Sequence, residues 1–148
     1  MSETNGNGKH RNGQLYAALL AIIEMGKEEK LPADGIGFRL ALNRNHLRPV
    51  GEAIEEAQQA LRAEYQIEET GALKTPEERA AWASRARACE AAAKTLMAQE
   101  VAWTSPAVIR WQQFADRSLK PEWLAPLIEV GIVACDPAEL NATEPTAP

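Results

Sequence analysis

The sequence has little of what catalysis or metal binding requires. It contains two cysteines and two histidines, and neither cysteine has a Cys or His neighbour at ligand spacing, which argues against a zinc site. No glycine-rich phosphate loop occurs, and no serine lies in a Gly-x-Ser-x-Gly sequence. We therefore predict no catalytic residue, no metal and no cofactor, and expect a protein that is not an enzyme.

Long apolar runs and excess positive charge are also missing. The longest apolar run, 15–23, is far shorter than a membrane span. The formal net charge of −5 argues against general nucleic-acid binding, which needs a basic field. No signal-peptide pattern is visible, so we expect a cytosolic protein with no membrane contact and leave open a disulfide between Cys89 and Cys135.

A heptad pattern dominates the middle of the chain and predicts a long central helix over Gly37–Tyr65. Pro49, followed closely by Gly51, predicts a kink near 46–51 or a break into two helices there. The apolar stripe needs a partner helix to cover it. The residues of this stripe are Leu40, Leu47, Val50, Ile54, Ala57 and Leu61.

A helix start at Thr75-Pro76-Glu77-Glu78 predicts a second long helix that runs to about Glu100. Joined by a short loop, the two long helices should form an antiparallel hairpin. A first helix over Gln14–Glu29 has an apolar face wider than one partner covers, so we expect it to pack on the hairpin. The predicted stripe of the second long helix consists of Trp82, Ala86, Cys89, Ala93 and Leu96.

The last third predicts a small C-terminal subdomain. A short helix begins near Trp123 and ends at Gly131. The apolar residues 132–134 are a candidate strand that could pair with 101–103. The predicted fold class is therefore mainly α, and the sequence leaves open whether the subdomain includes a short two-stranded ladder. We expect a disordered arm over 1–12, one helical domain over 13–135 and a disordered acidic tail over 136–148.

One polar cluster and one aromatic cluster are candidate sites. Arginine guanidinium groups bind phosphate or carboxylate in bidentate geometry, so the polar cluster predicts an anion or nucleotide pocket, with a solvated helix rim as the alternative. Tryptophan is enriched both in cores and at interface hot spots, so the aromatic cluster predicts either a buried core or an association surface. The predicted ligand-binding residues are Arg39, Asn43, Arg44, His46 and Arg48, and the predicted interface residues are Trp103, Trp111 and Trp123.

The order of these segments resembles small proteins encoded by tailed bacteriophages and prophages. The resemblance runs from about Leu15 to Val133, and the chain departs from it at Pro49 and in its tryptophan-rich end. It is carried by a leucine-rich first helix, KLP at 30–32, FRLALNRN at 38–45, RAEY at 62–65 and E-V-x-W at 100–103.

The resemblance implies two functions. The first is a non-enzymatic phage accessory protein, located in the host bacterial cytoplasm or in the virion. It would act by helix-mediated association with itself, as a homo-oligomer, or with a phage or host protein. The alternative is an anti-defence protein that sequesters a small anionic nucleotide, a host signal, in an Arg/Trp-lined pocket.

Overall fold

The computed structural model describes residues 8–29, 35–68, 73–114 and 120–134, which form four α-helices and two small sheets. The fold is mainly α, as predicted. The predicted acidic tail and Cys135 lie outside the described residues. In chain order the elements are β1 (Lys9–Arg11), α1 (Asn12–Glu29), α2 (Gly35–Glu64), α3 (Pro76–Ala98), β2 (Glu100–Ala102), β3 (Ile109–Arg110), a 3₁₀ turn (Trp111–Phe114), α4 (Pro121–Glu129) and β4 (Val133–Ala134).

Helix α1 is the centre of the hydrophobic core. It packs mainly against α2 and α4, and its Leu15 and Ile22 are fully buried. Leu40 and Leu47 of α2 and Leu127 of α4 join them in one cluster. The wide apolar face of this helix, which predicted more than one partner, is therefore covered within the chain except at Leu20, which is 47% exposed.

Helix α2 continues without interruption through Pro49, so the predicted break into two helices is wrong. Proline removes the N–H that would bond to the carbonyl of Asn45. Both Pro49 and Asn45 are exposed, so water can hydrate that carbonyl. Leu47 and Ile54 are buried on either side of the proline, and their packing holds both halves of the helix in place.

The start of α3 is confirmed at Thr75, which caps the helix. The Glu78 N–H donates to Thr75 Oγ1 at 3.0 Å, and the Thr75 N–H donates to Glu78 Oε1 at 3.0 Å. This reciprocal pair satisfies two of the backbone donors that a helix start leaves without intrahelical partners. The backbone N–H groups of Lys74 and Thr75 both donate to Glu78 Oε1, and these hydrogen bonds lower the pKa of Glu78.

Helices α2 and α3 form the predicted antiparallel hairpin. Near the loop, Arg85 Nε donates to the Tyr65 carbonyl at 3.0 Å. At the far end, Gln58 Nε2 lies 4.0 Å from Met97 Sδ. Residue numbers therefore increase along α2 in the direction in which they decrease along α3, so the two helices are antiparallel. The contact is less extensive than the one between α1 and α2, because the buried face of α2 is directed mainly at α1.

The antiparallel sheet joins the segment before α1 to the segment after α3. Strand β1 pairs with β2, with His10 opposite Val101. Asn12 extends the junction, since its N–H donates to the Gln99 carbonyl and its Nδ2 to the Leu96 carbonyl, both at 2.9 Å. Residues 9–12 thus belong to the fold, and this part of the predicted disordered arm was wrong.

The second sheet pairs β3 with β4 in parallel, with Ile109 opposite Val133. The sequence left open a short ladder in which 132–134 would pair with 101–103. A strand does form at 133–134, but its pairing with 101–103 was wrong. Helix α4 ends before Gly131, as predicted, and Gly131 has a φ of +82°. In that conformation the Ile132 N–H donates to the Leu127 carbonyl at 2.9 Å, which closes the helix and leads the chain into β4.

Candidate interaction surface

Asn43, a predicted ligand-binding residue, is part of the scaffold. Its side chain is fully buried. Nδ2 donates to the carbonyls of Ala107 and Arg39 at 2.8 Å each, and Oδ1 accepts from Ser105 Oγ at 2.7 Å. These bonds use both N–H groups of the amide and attach the 105–107 loop to α2. Because the side chain is fully buried, the structure does not support the prediction that Asn43 binds a ligand.

The other predicted ligand residues do not converge on one pocket. Arg39 donates from its guanidinium to the Val108 carbonyl at 2.9 Å. His46 lies against Trp103 on the same side of α2. Arg44 lies about 160° around the helix from His46, at 100° per residue, and Arg48 is four residues further along. The structure therefore separates this set into two groups.

Arg44 and Arg48 form the second of these groups. Arg48 is exposed, whereas Arg44 is half-buried. Within the described part of the chain, the buried Arg44 Nε has no hydrogen-bond partner. A buried donor without a partner costs free energy, so an anion at this position would satisfy it.

The tryptophans belong mainly to the core. Trp103 is 6% exposed and Trp123 is 3% exposed, so neither indole is accessible to a partner, and their predicted interface role was wrong. Trp111 is half-buried and packs against the same cluster. Lys120 Nζ lies 5.0 Å from the centroid of the Trp123 ring, a cation–π distance.

Both histidines of the chain contact Trp103. The ring centroids of His10 and Trp103 are 6.4 Å apart in an edge-to-face arrangement, and those of His46 and Trp103 are 5.4 Å apart. Burial lowers the pKa of His10, and a hydrogen bond to the Trp103 backbone raises it by less. Neither His10 Nδ1 nor Trp103 Nε1 has a partner within the described residues. Sequence reasoning missed this cluster, because His10 fell in the predicted arm.

Helix α3 is the most exposed of the long helices. It is described over its whole length of 23 residues, and Cys89 is its only buried residue. The predicted stripe of Trp82, Ala86, Ala93 and Leu96 faces α2 but is only half-buried. The core cluster therefore forms around α1, and α3 covers little of it.

A groove of about 410 Å³ lies between α2 and α3. Its apolar lining includes Leu61 and Ile67 on one side and Ala86, Cys89 and Ala93 on the other. Charged residues border it, since Glu90 also lines the groove and Arg62 forms an ion pair with Glu68. An apolar floor with a polar border is a typical arrangement for docking a helix or a large apolar side chain.

The described residues contain no group of three or more His, Cys, Asp or Glu side chains placed to hold a metal ion. None of their helices combines the length and the apolar character that crossing a membrane requires. No protein-family model matches the sequence, and no curated protein or solved structure is similar to it.

Proposed function

We propose that this protein is a non-enzymatic binding protein that acts by helix-mediated association through its α2–α3 hairpin. The observation that supports the proposal is the exposure of α3. Helices in proteins are stabilised mainly by packing of an apolar face, yet Cys89 is the only buried residue in the 23 residues of α3. An associated helix would cover the surface that the rest of the chain leaves exposed.

Two apolar features of the sequence do not provide the binding surface. The wide face of α1 is covered by α2 and α4 except at Leu20, and two of the three candidate interface tryptophans are buried. The α2–α3 groove and the outer side of α3 replace them. The proposed binding surface therefore lies on the hairpin and away from the tryptophan-rich end.

The resemblance to phage proteins supplies the proposed setting, a phage accessory protein in the host bacterial cytoplasm or in the virion. The partner is then a second copy of the chain or a phage or host protein. This origin is part of the proposal, because it depends on the order and spacing of sequence segments alone.

Light scattering coupled to size-exclusion chromatography tests association, combined with affinity capture from bacterial extract with and without phage infection. The test variant is Ala88→Arg on α3, and the matched control is Ala125→Arg on α4, since both alanines are exposed on helices. Association that Ala88→Arg weakens and Ala125→Arg leaves unchanged is the expected result. A strict monomer of 16.2 kDa that captures no protein would refute the proposed function.

A second candidate function is sequestration of an anionic nucleotide. The observation that favours it is the buried Arg44 Nε, which has no hydrogen-bond partner among the described residues and lies one helical turn from the exposed Arg48. Isothermal titration calorimetry with cyclic and ADP-ribose-type nucleotides tests it. Binding that Arg44→Gln abolishes and Arg39→Gln preserves would support it, and no heat at high nucleotide concentration would eliminate it.

A further inference from the structure

A stripe of residues on the first half of α2 faces away from the core. At about 100° of rotation per residue, these residues lie on the side of the helix opposite Leu40 and Leu47, which are buried. They follow the alternating spacing of four and three that defines the d and a positions of a heptad. We call this set the outer stripe, and its members are Phe38, Leu42, Asn45 and Pro49.

The outer stripe presents an apolar surface that the described residues leave largely uncovered. Phe38 is 66% exposed, the largest exposed fraction among the large hydrophobic residues that the structure describes. Leu42 is half-buried, and Asn45 and Pro49 are exposed. The stripe extends about 17 Å at 1.5 Å per residue, a length that matches a docked helix of about three turns.

The residues that flank the outer stripe are basic. Arg39 and His46 occupy e positions on one side, and Arg48 occupies a g position on the other; all three are exposed. Arg39 uses one N–H in its bond to the Val108 carbonyl, which leaves further donors of its guanidinium group for a carboxylate. Within the described part of the chain, neither Arg39 nor Arg48 forms an ion pair with a carboxylate.

The sequence places no acidic residue within this surface. Residues 35–51 of α2 contain none, and neither does the segment 101–113, which is hydrogen-bonded to α2. The adjoining sequence stretches 30–34 and 115–119 each have one basic and one acidic residue, so neither changes the balance of charge. Glu52, one turn beyond the last arginine, ends the outer stripe. The surface is therefore locally positive on a chain whose net charge is −5.

We propose that the outer stripe docks an acidic amphipathic helix of another protein. Apolar residues of that helix would cover Phe38 and Leu42, and glutamate or aspartate residues beside them would pair with Arg39 and Arg48. Arginine binds a carboxylate in bidentate geometry, which fixes the register of the helix as well as its charge. This surface goes beyond the proposed function, because it lies on the first half of α2 and not on the α2–α3 groove or the outer side of α3.

Charge and side-chain chemistry favour this partner over two alternatives. A second copy of the outer stripe would bring Arg39 and Arg48 against like charges. A nucleic acid would extend its negative charge past the acidic remainder of the chain, whereas a helix with a few carboxylates meets mainly the local arginines. Leucine and proline side chains also provide no aromatic ring on which a base could stack.

Reciprocal charge exchange tests the proposal. The probes are two synthetic peptides of about three heptads, both with leucine at a and d, one with glutamate and the other with lysine at e and g. Fluorescence anisotropy of the labelled peptides at low salt measures binding. The native protein should bind the glutamate peptide at least about tenfold more tightly than the lysine peptide, and Arg39→Glu/Arg48→Glu should reverse this preference.

Two matched controls accompany the test. Arg87→Glu/Lys94→Glu on α3 changes the net charge equally at exposed residues and should keep the native preference. Phe38→Ala should weaken binding of the glutamate peptide about tenfold, whereas Leu20→Ala, at a residue 47% exposed on α1, should leave it unchanged. Circular dichroism verifies that each variant is folded.

Equal affinities for the two peptides, or a preference that Arg39→Glu/Arg48→Glu does not reverse, would overturn the proposal. Tighter binding of a labelled single-stranded oligothymidylate would also overturn it, because nucleic acid would then be the better occupant. Peptide binding that appears only after Asp136→Asn, Glu139→Gln and Glu144→Gln would assign the outer stripe to the chain's own acidic end. Self-association that Arg39→Glu/Arg48→Glu removes, without peptide binding, would assign it to a second copy; both results overturn the proposal. The proposed function is decided separately, since its test variant lies on α3.

Discussion

Replacing Asn43 by alanine should destabilise the fold strongly, although the residue carries no hydrophobic side chain. Asn43 is fully buried and links α2 to the loop before β3 through Ser105 and Ala107. Alanine would remove both links and leave the Ala107 carbonyl and the Ser105 hydroxyl without these partners. The bond to the Arg39 carbonyl matters less, because that carbonyl lies within the helix.

The loss of stability expected for Asn43→Ala can be estimated from these contacts. The two hydrogen bonds lost between α2 and the loop each stabilise the fold by about 1 kcal/mol, and the loss is larger where a group remains buried and unpaired. The small cavity left by the amide adds about 1 kcal/mol, and the better helix propensity of alanine returns about 0.5 kcal/mol. We expect the free energy of unfolding to fall by about 2–4 kcal/mol.

Urea denaturation followed by circular dichroism measures this change. The matched control is Asn45→Ala, an exposed asparagine two residues away on the same helix, and it should change stability by less than about 0.5 kcal/mol. Ser105→Ala should cost about 1 kcal/mol, and its effect should largely disappear in the Asn43→Ala background because the two residues are bonded. Equal stabilities for Asn43→Ala and Asn45→Ala would refute the reasoning.

Three further predictions concern pH, packing and helix capping. Because burial lowers the pKa of His10, the unfolded chain binds this proton more readily, so stability should fall as the pH drops below about 6.5. His10→Gln should reduce that loss, measured as urea midpoints at pH 7 and pH 5. In Gly51→Ala the new methyl would overlap Leu19 Cδ2, and repacking should outweigh the helix propensity gain by about 1 kcal/mol in urea denaturation. Thr75→Ala removes the capping box of α3 and should cost about 1 kcal/mol, measured by thermal unfolding.

Each of these predictions has a control in the same chain. Asn45→Ala, which changes an exposed residue and no titratable group, should leave the pH dependence unchanged. Gly35→Ala adds a methyl that meets no atom within 4 Å, and Thr95→Ala changes a threonine inside α3. A loss of stability on acidification that is identical in His10→Gln and the native protein would contradict the first prediction. Stability gains in Gly51→Ala or Thr75→Ala would contradict the other two.

Local signals in the sequence were sufficient for the helices. The Thr75 to Glu78 pattern located the start of α3, because both capping bonds join residues three apart. The heptad residues of α2 identified a buried face, and Leu40, Leu47 and Ile54 are buried. Gly131 marked the end of α4, since glycine adopts a positive φ at little cost.

The candidate site was less predictable, because its residues depend on contacts far apart in sequence. Asn43 looked like a ligand residue among arginines, but the loop at 105–107 uses its amide. Trp103 was a candidate interface residue in the sequence, but in the structure it is buried and contacts His10 and His46. Spacing alone could not show which face of each helix the distant segments cover.

The sequence by itself determined where the helices lie, since periodicity and capping act over a few residues. The tertiary structure decided that α1 occupies the centre, that the chain before α1 pairs with β2, and that α3 is left largely exposed. The physical reason is competition for apolar surface. Helix α2 has one buried face, α1 covers most of it, and α3 receives only the remainder.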